Sequence, residues 1–377
     1  MDNHFSLGIY IMMKKFKNCF QDKKIFVTGH TGFKGSWLTA FLLNMDVKVI
    51  GFSNDIPTNP SMFEILGLKS QIDYIIGDVR DYSKFNEAIT QYNPDIIIHL
   101  AAQPLVRKSY ISPVETYETN VMGTVNLLES LRINNSFKKK KFLLNVTSDK
   151  CYENKEKNYA YNENDSLGGH DPYSSSKACS EIVTSAYRRS FFTDSNISIA
   201  TARAGNVIGG GDWSKDRIVV DCVNALVKNE TIVIRNPSAL RPWQHVLEAL
   251  TGYLILLTHM INDNNDSCVY FNSSWNFGPY SESIVDVETL VKEIISNWGD
   301  GEYIVESNDT LHEAILLELD INNSLNYLEW KPKLTFNEAI SMTIEWYKQF
   351  YYNEEDMLKC TNNQIKNYLR INKQTVF

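Results

Sequence analysis

The sequence predicts an α/β protein built on a doubly wound parallel sheet, with a smaller C-terminal lobe interleaved with it. Three observations carry that prediction. Short, continuous apolar runs alternate with helix-length stretches through the first half of the chain, as buried parallel strands and their crossover helices do. The first run feeds directly into a glycine-spaced turn, Gly29-His30-Thr31-Gly32-Phe33-Lys34-Gly35. Tyr173 and Lys177 stand four residues apart after Pro172, a spacing that puts both on one helix face, one turn above the other.

The elements follow in order. Lys24–Thr28 is the first strand, and Ser36–Asn44 is the helix after the glycine turn. Glycines at that junction allow a tight turn and a close backbone approach, and the helix N-terminus offers free N–H groups to a pyrophosphate. A Rossmann-type dinucleotide site is therefore expected there. Val47–Phe52 is the second strand; its end reads Ser53-Asn54-Asp55, so the acid that usually holds an adenosine ribose is displaced. No Arg or Lys lies between Lys48 and Lys69 to meet a 2′-phosphate, which favours NAD over NADP. Ile72–Ile76 is the third strand, and Asp78 and Val79 follow it. Asp95–Leu100 is the fourth and runs into Ala101-Ala102-Gln103. A helix spans Val114 to about Leu131. Phe142–Val146 is the fifth strand and delivers Ser148-Asp149-Lys150 at its carboxyl end, where reactive groups of open α/β sheets gather. Ile197–Ala202 is a further strand.

Beyond Arg203 the elements become shorter and mixed: a helix near Arg217–Val227, a strand at Ile232–Ile234, the run Arg241-Pro242-Trp243-Gln244-His245, an apolar helix through Leu250–Leu257, and closing segments at Leu325–Leu334 and Phe336–Tyr347. This divides the chain into an extension (1–21), a dinucleotide-binding unit with the Tyr/Lys pair (22–203), a mainly substrate-binding lobe (204–350) and a loosely attached tail (351–377). No repeat or interdomain linker separates them.

Composition narrows the class of partner. The 377 residues carry 43% hydrophobic and 22% charged side chains and a net charge of −8, ordinary for a globular protein and unsuited to nucleic acid. The six cysteines form no CxxC and no Cys/His cluster, so no metal site is expected and reduced thiols of a cytoplasmic protein are. No stretch reaches the roughly 18 apolar residues that would span a bilayer. The apolar segment Phe5–Met13 has its lysines after it, the reverse of a signal peptide.

The chemistry concentrates at the Tyr/Lys pair. A free phenol titrates near about 10 and is a poor base at neutrality, and a neighbouring ammonium favours its ionised form. Taken together, VTGHTGFKGSWL, SDKCYEN and LGGHDPYSSSKA resemble the extended, sugar-nucleotide-modifying branch of the short-chain dehydrogenase/reductases. Within it they are similar to the 4,6-dehydratases that act on CDP-glucose, over nearly the whole chain from Phe16.

The resemblance implies NAD held by Gly29, Thr31, Gly32, Phe33, Gly35, Asp78, Val79, Ala101, Ala102, Tyr173 and Lys177. It implies a reaction without net redox change: oxidation of the sugar at C4, loss of water across C5 and C6, and return of hydride at C6. Ser148, Tyr173 and Lys177 would serve the oxidation, with Asp149 as acid and Lys150 as base for the elimination. Burial would raise the Asp149 pKa, and burial with the Lys177 cation would lower that of Lys150. Gln103, Asn120, Asn206, Arg241 and His245 would contact or frame the sugar-nucleotide substrate. A solvated turn for Asp78, a buried structural role for Asn120 and a surface role for Arg241 stand beside those assignments. The product would be a 4-keto-6-deoxy sugar nucleotide on the way to deoxysugars of surface polysaccharide. A homodimer through the Val114 and Tyr173 helices is implied as well. Another nucleotide-sugar dehydratase, a 4-epimerase and a non-catalytic dinucleotide sensor remain alternatives. Asp149-Lys150 speaks against the epimerase, and the intact Tyr173 and Lys177 against the sensor.

Overall fold

The computed structural model describes residues 12–134, 139–157, 159–263, 270–306, 316–353 and 356–371. Seven parallel strands form the central sheet: β1 (Lys24–Thr28), β2 (Lys48–Ser53), β3 (Asp73–Ile76), β4 (Ile96–His99), β5 (Lys141–Val146), β6 (Ile197–Arg203) and β7 (Ser274–Asn276). Their spatial order is β7-β6-β5-β4-β1-β2-β3, and every pairing is parallel. The order reverses beside β1, the place where ligands enter a doubly wound sheet.

Among the described residues nine principal helices accompany the sheet: α1 (Phe33–Leu43), α2 (Tyr82–Tyr92), α3 (Gly123–Ile133), α4 (Pro172–Phe191), α5 (Ile218–Val227), α6 (Val246–Asn262), α7 (Val287–Trp298), α8 (Phe336–Tyr352) and α9 (Met357–Arg370). Alternate residues of the strands feed two cores. Ile25 and Val27 face one that includes Trp37 and Phe41 of α1 and Leu250 and Leu254 of α6. Phe26 faces the other, with Leu127 and Leu128 of α3 and, packed against them, Val183 and Tyr187 of α4. A period of two sends neighbouring side chains to opposite faces, so α1 and α6 lie on one face of the sheet and α3 and α4 on the other.

Several boundaries differ from the sequence expectation. Helix α1 starts inside the glycine turn, at Phe33 rather than Ser36. The helix expected from Val114 begins at Pro113 and carries a π-turn at Glu118–Met122 before continuing as α3. β7, from the C-terminal half, enters the main sheet beside β6, which makes the interleaving physical.

Both ends are tied down further than expected. Residues 12–20 are helical, with Phe16 and Phe20 buried in the core; the rest of the expected extension, residues 1–11, lies outside the described residues. The polar stretch after Tyr351 is no loose tail, because α9 is amphipathic and buries Met357, Cys360, Ile365, Tyr368 and Leu369. Burying a large apolar side chain contributes about 1.5–3 kcal/mol. Asp356 caps that helix by accepting from the N–H groups of Leu358 and Lys359. Tyr368 donates to the buried Glu248 of α6 at 2.7 Å.

Candidate active site

The glycine turn is shaped by close backbone packing. Gly29 has a φ of +70°, and a Cβ on it would sit 2.8 Å from the Ala101 nitrogen. A Cβ on Gly35 would lie 2.1 Å from the Gly29 oxygen. Larger residues at either position would open the turn. Gly32 precedes α1 and no side chain caps that N-terminus, so its first amides are open to a ligand. Thr31 donates to the Asp55 carbonyl at 2.7 Å, tying the turn to the end of β2. Phe33 reaches across to Gly209, where a Cβ would be 3.1 Å from its ring. Glycine backbone, open helix amides and the small Ala101 and Ala102 suit a dinucleotide pyrophosphate, so the residues present fit that cofactor.

The ribose end differs from the usual pattern. Ser53 is buried and bonded to His30 Nδ1 at 2.9 Å, while the displaced Asp55 is exposed. Asp78 is gripped by Arg80 through a fork of 2.6 and 3.0 Å contacts, which holds its carboxyl below the usual range. Val79 is buried, and its carbonyl accepts from Asn126 at 2.8 Å.

The reactive groups meet at the carboxyl end of β5. Ser148 Oγ donates to Asp149 Oδ1 at 2.7 Å and lies close enough to Tyr173 to influence its phenol. Residues Asp149–Cys151 form a single 3₁₀ turn, whose Lys150 N–H is held by Asp149 Oδ1 at 2.9 Å. Asp149 lies directly against Gly205; a Cβ there would fall 2.0 Å from its carboxyl carbon. Helix α4 begins with Asp171 as cap, accepting from the Ser174 N–H at 2.9 Å, and Pro172 in the first turn. Tyr173 and Lys177 both project from it into the interior, 8% and 6% exposed.

Burial pushes the Tyr173 phenol up to about 12. The nearby Ser148 hydroxyl and then the Arg217 charge pull against that rise. The expectation that Lys177 keeps Tyr173 acidic is therefore revised. Burial dominates both groups, and it brings the Lys177 ammonium itself down to about 8.

One turn beyond Lys177, Glu181 anchors α4. It accepts from Thr147, from Thr201 at 2.8 Å and from Arg203 at 2.9 Å. Arg203 also donates to the Tyr152 hydroxyl at 2.6 Å, which in turn donates to Asn276 at 2.8 Å. The turn carrying Ser148, Asp149 and Lys150 is thus fixed to β6, β7 and α4 by one buried network.

The residues expected to meet substrate are placed differently. Gln103 is spent on its own loop: Nε2 donates to Leu105 O and Thr116 Oγ1, and Oε1 accepts from the Leu105 N–H. Asn120, in the π-turn, is buried and clamps Gln103 to α4, accepting from the Gln103 N–H at 2.8 Å and donating to Ser176 Oγ at 2.9 Å. Its structural role is the one the geometry favours. His245 is fully buried, caps α6 through Nδ1 to the Leu247 N–H and packs edge-on against Trp37. Burial brings its imidazole down to about 3, so it is no exposed substrate contact. Asn206 is half-buried at a φ of 46°, immediately after Gly205. Arg241 is half-buried on a strand, Leu240–Pro242, that pairs antiparallel with Ile284–Asp286.

Sequence reasoning missed four residues of the site: Lys34, Gly205, Arg217 and Tyr253. Lys34 acts electrostatically on the same cluster, near Lys177, Arg217 and Asp149, and burial brings its ammonium down to about 8. A cation in the first turn of a helix opposes the helix dipole, and that was a readable signal. Nothing in the local sequence marked Gly205 or Tyr253.

A glycine-turn cradle opening onto a helix-borne Tyr/Lys pair, on a sheet with this strand order, defines a short-chain dehydrogenase/reductase of the extended type. The chain belongs to the GDP-mannose 4,6-dehydratase family, which it matches over residues 26–343. It is 44% identical over 359 residues to the CDP-glucose 4,6-dehydratase of Salmonella typhimurium, covering 94% of this chain and 98% of that one. A probable dTDP-glucose 4,6-dehydratase of Sinorhizobium fredii is 25% identical, over 86% of this chain and 92% of its own. Among solved structures, a dTDP-glucose 4,6-dehydratase from Streptomyces venezuelae with NAD and TYD bound superposes with a TM-score of 0.74 at 20% identity, covering 86% and 97% of the two chains. A UDP-glucose 4-epimerase from Thermotoga maritima has the same TM-score and identity over 87% and 99%. These last two likenesses concern the fold.

Proposed function

We propose that this chain is an NAD-dependent 4,6-dehydratase that converts CDP-glucose to its 4-keto-6-deoxy derivative. The observation that carries the reading is the Ser148–Asp149 hydrogen bond at the carboxyl edge with the buried Tyr173 close by, Lys150 next in sequence and Lys177 one turn below Tyr173. It brings an alcohol-oxidation apparatus and an acid/base pair for elimination to one place. The choice of CDP-glucose is supported by the 44% identity to the Salmonella enzyme.

Gly29, Thr31, Gly32, Phe33, Gly35, Ala101, Ala102, Tyr173 and Lys177 would hold the dinucleotide. NAD bound there would supply a hydride acceptor that is restored in each turnover. Ser148 holds the 4-hydroxyl oxygen of the sugar and Tyr173 removes its proton. Once C4 is a ketone, the C5 proton is acidic. Lys150 takes that proton, and Asp149, buried at 2% exposure, protonates the departing 6-hydroxyl. Arg241 and Asn206 would meet the nucleotide diphosphate, Arg through its planar fork.

The test is turnover of CDP-glucose, dTDP-glucose, UDP-glucose and UDP-N-acetylglucosamine, with and without added NAD, read by the alkaline absorbance of a 4-keto-6-deoxy sugar. Signal with CDP-glucose alone is expected; silence with all four would refute the reading. A product of that kind would feed deoxysugar synthesis for surface polysaccharide.

A homodimer completes the proposal. Val114, Met122 and Ile133 on the Pro113–Ile133 segment and Ile182 and Phe191 on α4 are exposed apolar side chains on two helices packed side by side. A solution mass near twice 43.3 kDa is expected, and a mass near 43.3 kDa would reject it. We place the enzyme in the cytoplasm, where nucleotide sugars are made and thiols such as Cys151 and Cys179 stay reduced. Among the described residues no helix is long and apolar enough to cross a membrane.

A further inference from the structure

Tyr253, on α6, is fully buried, yet its hydroxyl has no hydrogen-bond partner within the protein. Buried hydroxyls without partners are costly, typically by about 1–3 kcal/mol, and such an atom calls for an explanation. Its surroundings supply one. The ring is held edge-on against Phe277 at 5.6 Å, and the Lys34 ammonium stands 5.9 Å from its centroid. Phe277 directly follows β7 and Lys34 opens α1 beside the glycine turn, so the phenol lies at the carboxyl edge of the sheet, within electrostatic reach of Tyr173 and Asp149.

Lys34 is placed at equal apparent disadvantage. It sits in the first turn of α1, within electrostatic reach of two further cations, Lys177 and Arg217, with Asp149 the opposing charge. Both groups reach the edge from the sheet face opposite to α4.

We propose that Tyr253 and Lys34 form a second tyrosine–lysine pair of the active site, in which the Tyr253 hydroxyl donates its unmet hydrogen bond to a hydroxyl of the bound hexose between Tyr173 and Asp149. This rests on the sugar-nucleotide reading above and deepens it. Burial pushes the Tyr253 phenol up, so it stays protonated at working pH and serves as a donor, never as a base. The Lys34 ammonium over the ring fixes its tilt and helps keep the O–H directed at the substrate. No proton is transferred by the pair. Its contribution is orientation of the sugar against Ser148, Tyr173 and Asp149.

The test is Tyr253→Phe, Lys34→Met and the double variant, each in the full chain with NAD. For Tyr253→Phe, kcat/KM for CDP-glucose should fall by about tenfold or more, the cost of losing one oriented donor. Calorimetric affinity for NAD should stay unchanged, and the melting temperature should hold or rise, because an unpartnered buried hydroxyl has been removed. The double variant should be no slower than the slower single variant, the sign that both act through one contact. A Tyr253→Phe enzyme with wild-type kcat/KM overturns the proposal. So does one that loses NAD affinity in step with activity, since the hydroxyl would then serve the cofactor. A wild-type protein silent with every sugar nucleotide instead removes the dehydratase reading itself. A wild type that turns over beside an equally fast Tyr253→Phe removes the second pair alone.

Discussion

Helices α4 and α6 approach the catalytic edge from opposite faces of the sheet, and each is anchored by one buried glutamate. On α4 it is Glu181, on α6 Glu248. Glu181 is paired with Arg203 and accepts from Thr147, Thr201 and Ser274, so its carboxyl is held below the usual range although burial works against it. Glu248 accepts from the Lys333 and Leu334 N–H groups and the Tyr368 hydroxyl, all near 2.7 Å, with Lys333 the weakest influence. Burial therefore wins, and its carboxyl rises to about 7. The same side chain in the same degree of burial stays charged where a guanidinium pairs with it and clings to its proton where N–H and O–H dipoles hold it and Lys333 acts only weakly. The tyrosines differ in parallel. Tyr173 stands beside the Ser148–Asp149 hydrogen bond, while Tyr253 is held by packing and leaves its hydroxyl unspent.

The largest effect should come from the hydrogen-bonded side. Tyr173→Phe should lower turnover by about a thousandfold or more, read as lost 4-keto-6-deoxy product with no transient nicotinamide reduction. Lys150→Met should slow turnover by about a hundredfold or more while still allowing oxidation at C4. Reduced nicotinamide would then accumulate in the near-ultraviolet, and normal turnover would take the C5 base away from Lys150.

Next comes the anchor itself. Arg203→Met leaves Glu181 buried without its cation, which should cost about 3–5 kcal/mol of stability, measured by denaturant unfolding. An unchanged unfolding midpoint would mean that the Thr147, Thr201 and Ser274 donors suffice.

The smallest effect should separate the two glutamates by pH. Glu248 keeps its proton in the folded state between its ordinary 4.5 and about 7. Its contribution is full below that window and is lost as pH rises through it. Glu248→Gln removes the titration, so the variant should gain melting temperature on wild type between about pH 5 and about pH 8. Glu181, held low, behaves oppositely: its contribution is present above the ordinary carboxylate range and is lost on acidification.

Much of this was readable beforehand where the signal is local. The parallel strands announced themselves as continuous apolar runs, and all six anticipated in the main sheet lie within a residue of their expected ends at both termini, the third starting at Asp73 instead of Ile72. The glycine turn and the Tyr173/Lys177 spacing were equally local. Distant contacts were not. Gln103, Asn120 and His245 are polar residues near a predicted ligand edge, yet each is consumed by a partner from another segment or by its own loop. Helix α9 looked like tail because its apolar face has value only once α8 and α1, the latter more than 300 residues earlier, are packed against it.

By itself, then, the sequence determined the sheet's composition, the cradle and the first tyrosine–lysine pair, because each depends on residues within a turn or a strand of one another. Only the tertiary structure decided which buried charges are paired and which polar atoms are left over. Glu181 met Arg203, Glu248 met no such cation, and Lys34 came to rest beside Tyr253. Those outcomes turn on desolvation and on which side chains meet across the sheet, and neither is written in local spacing.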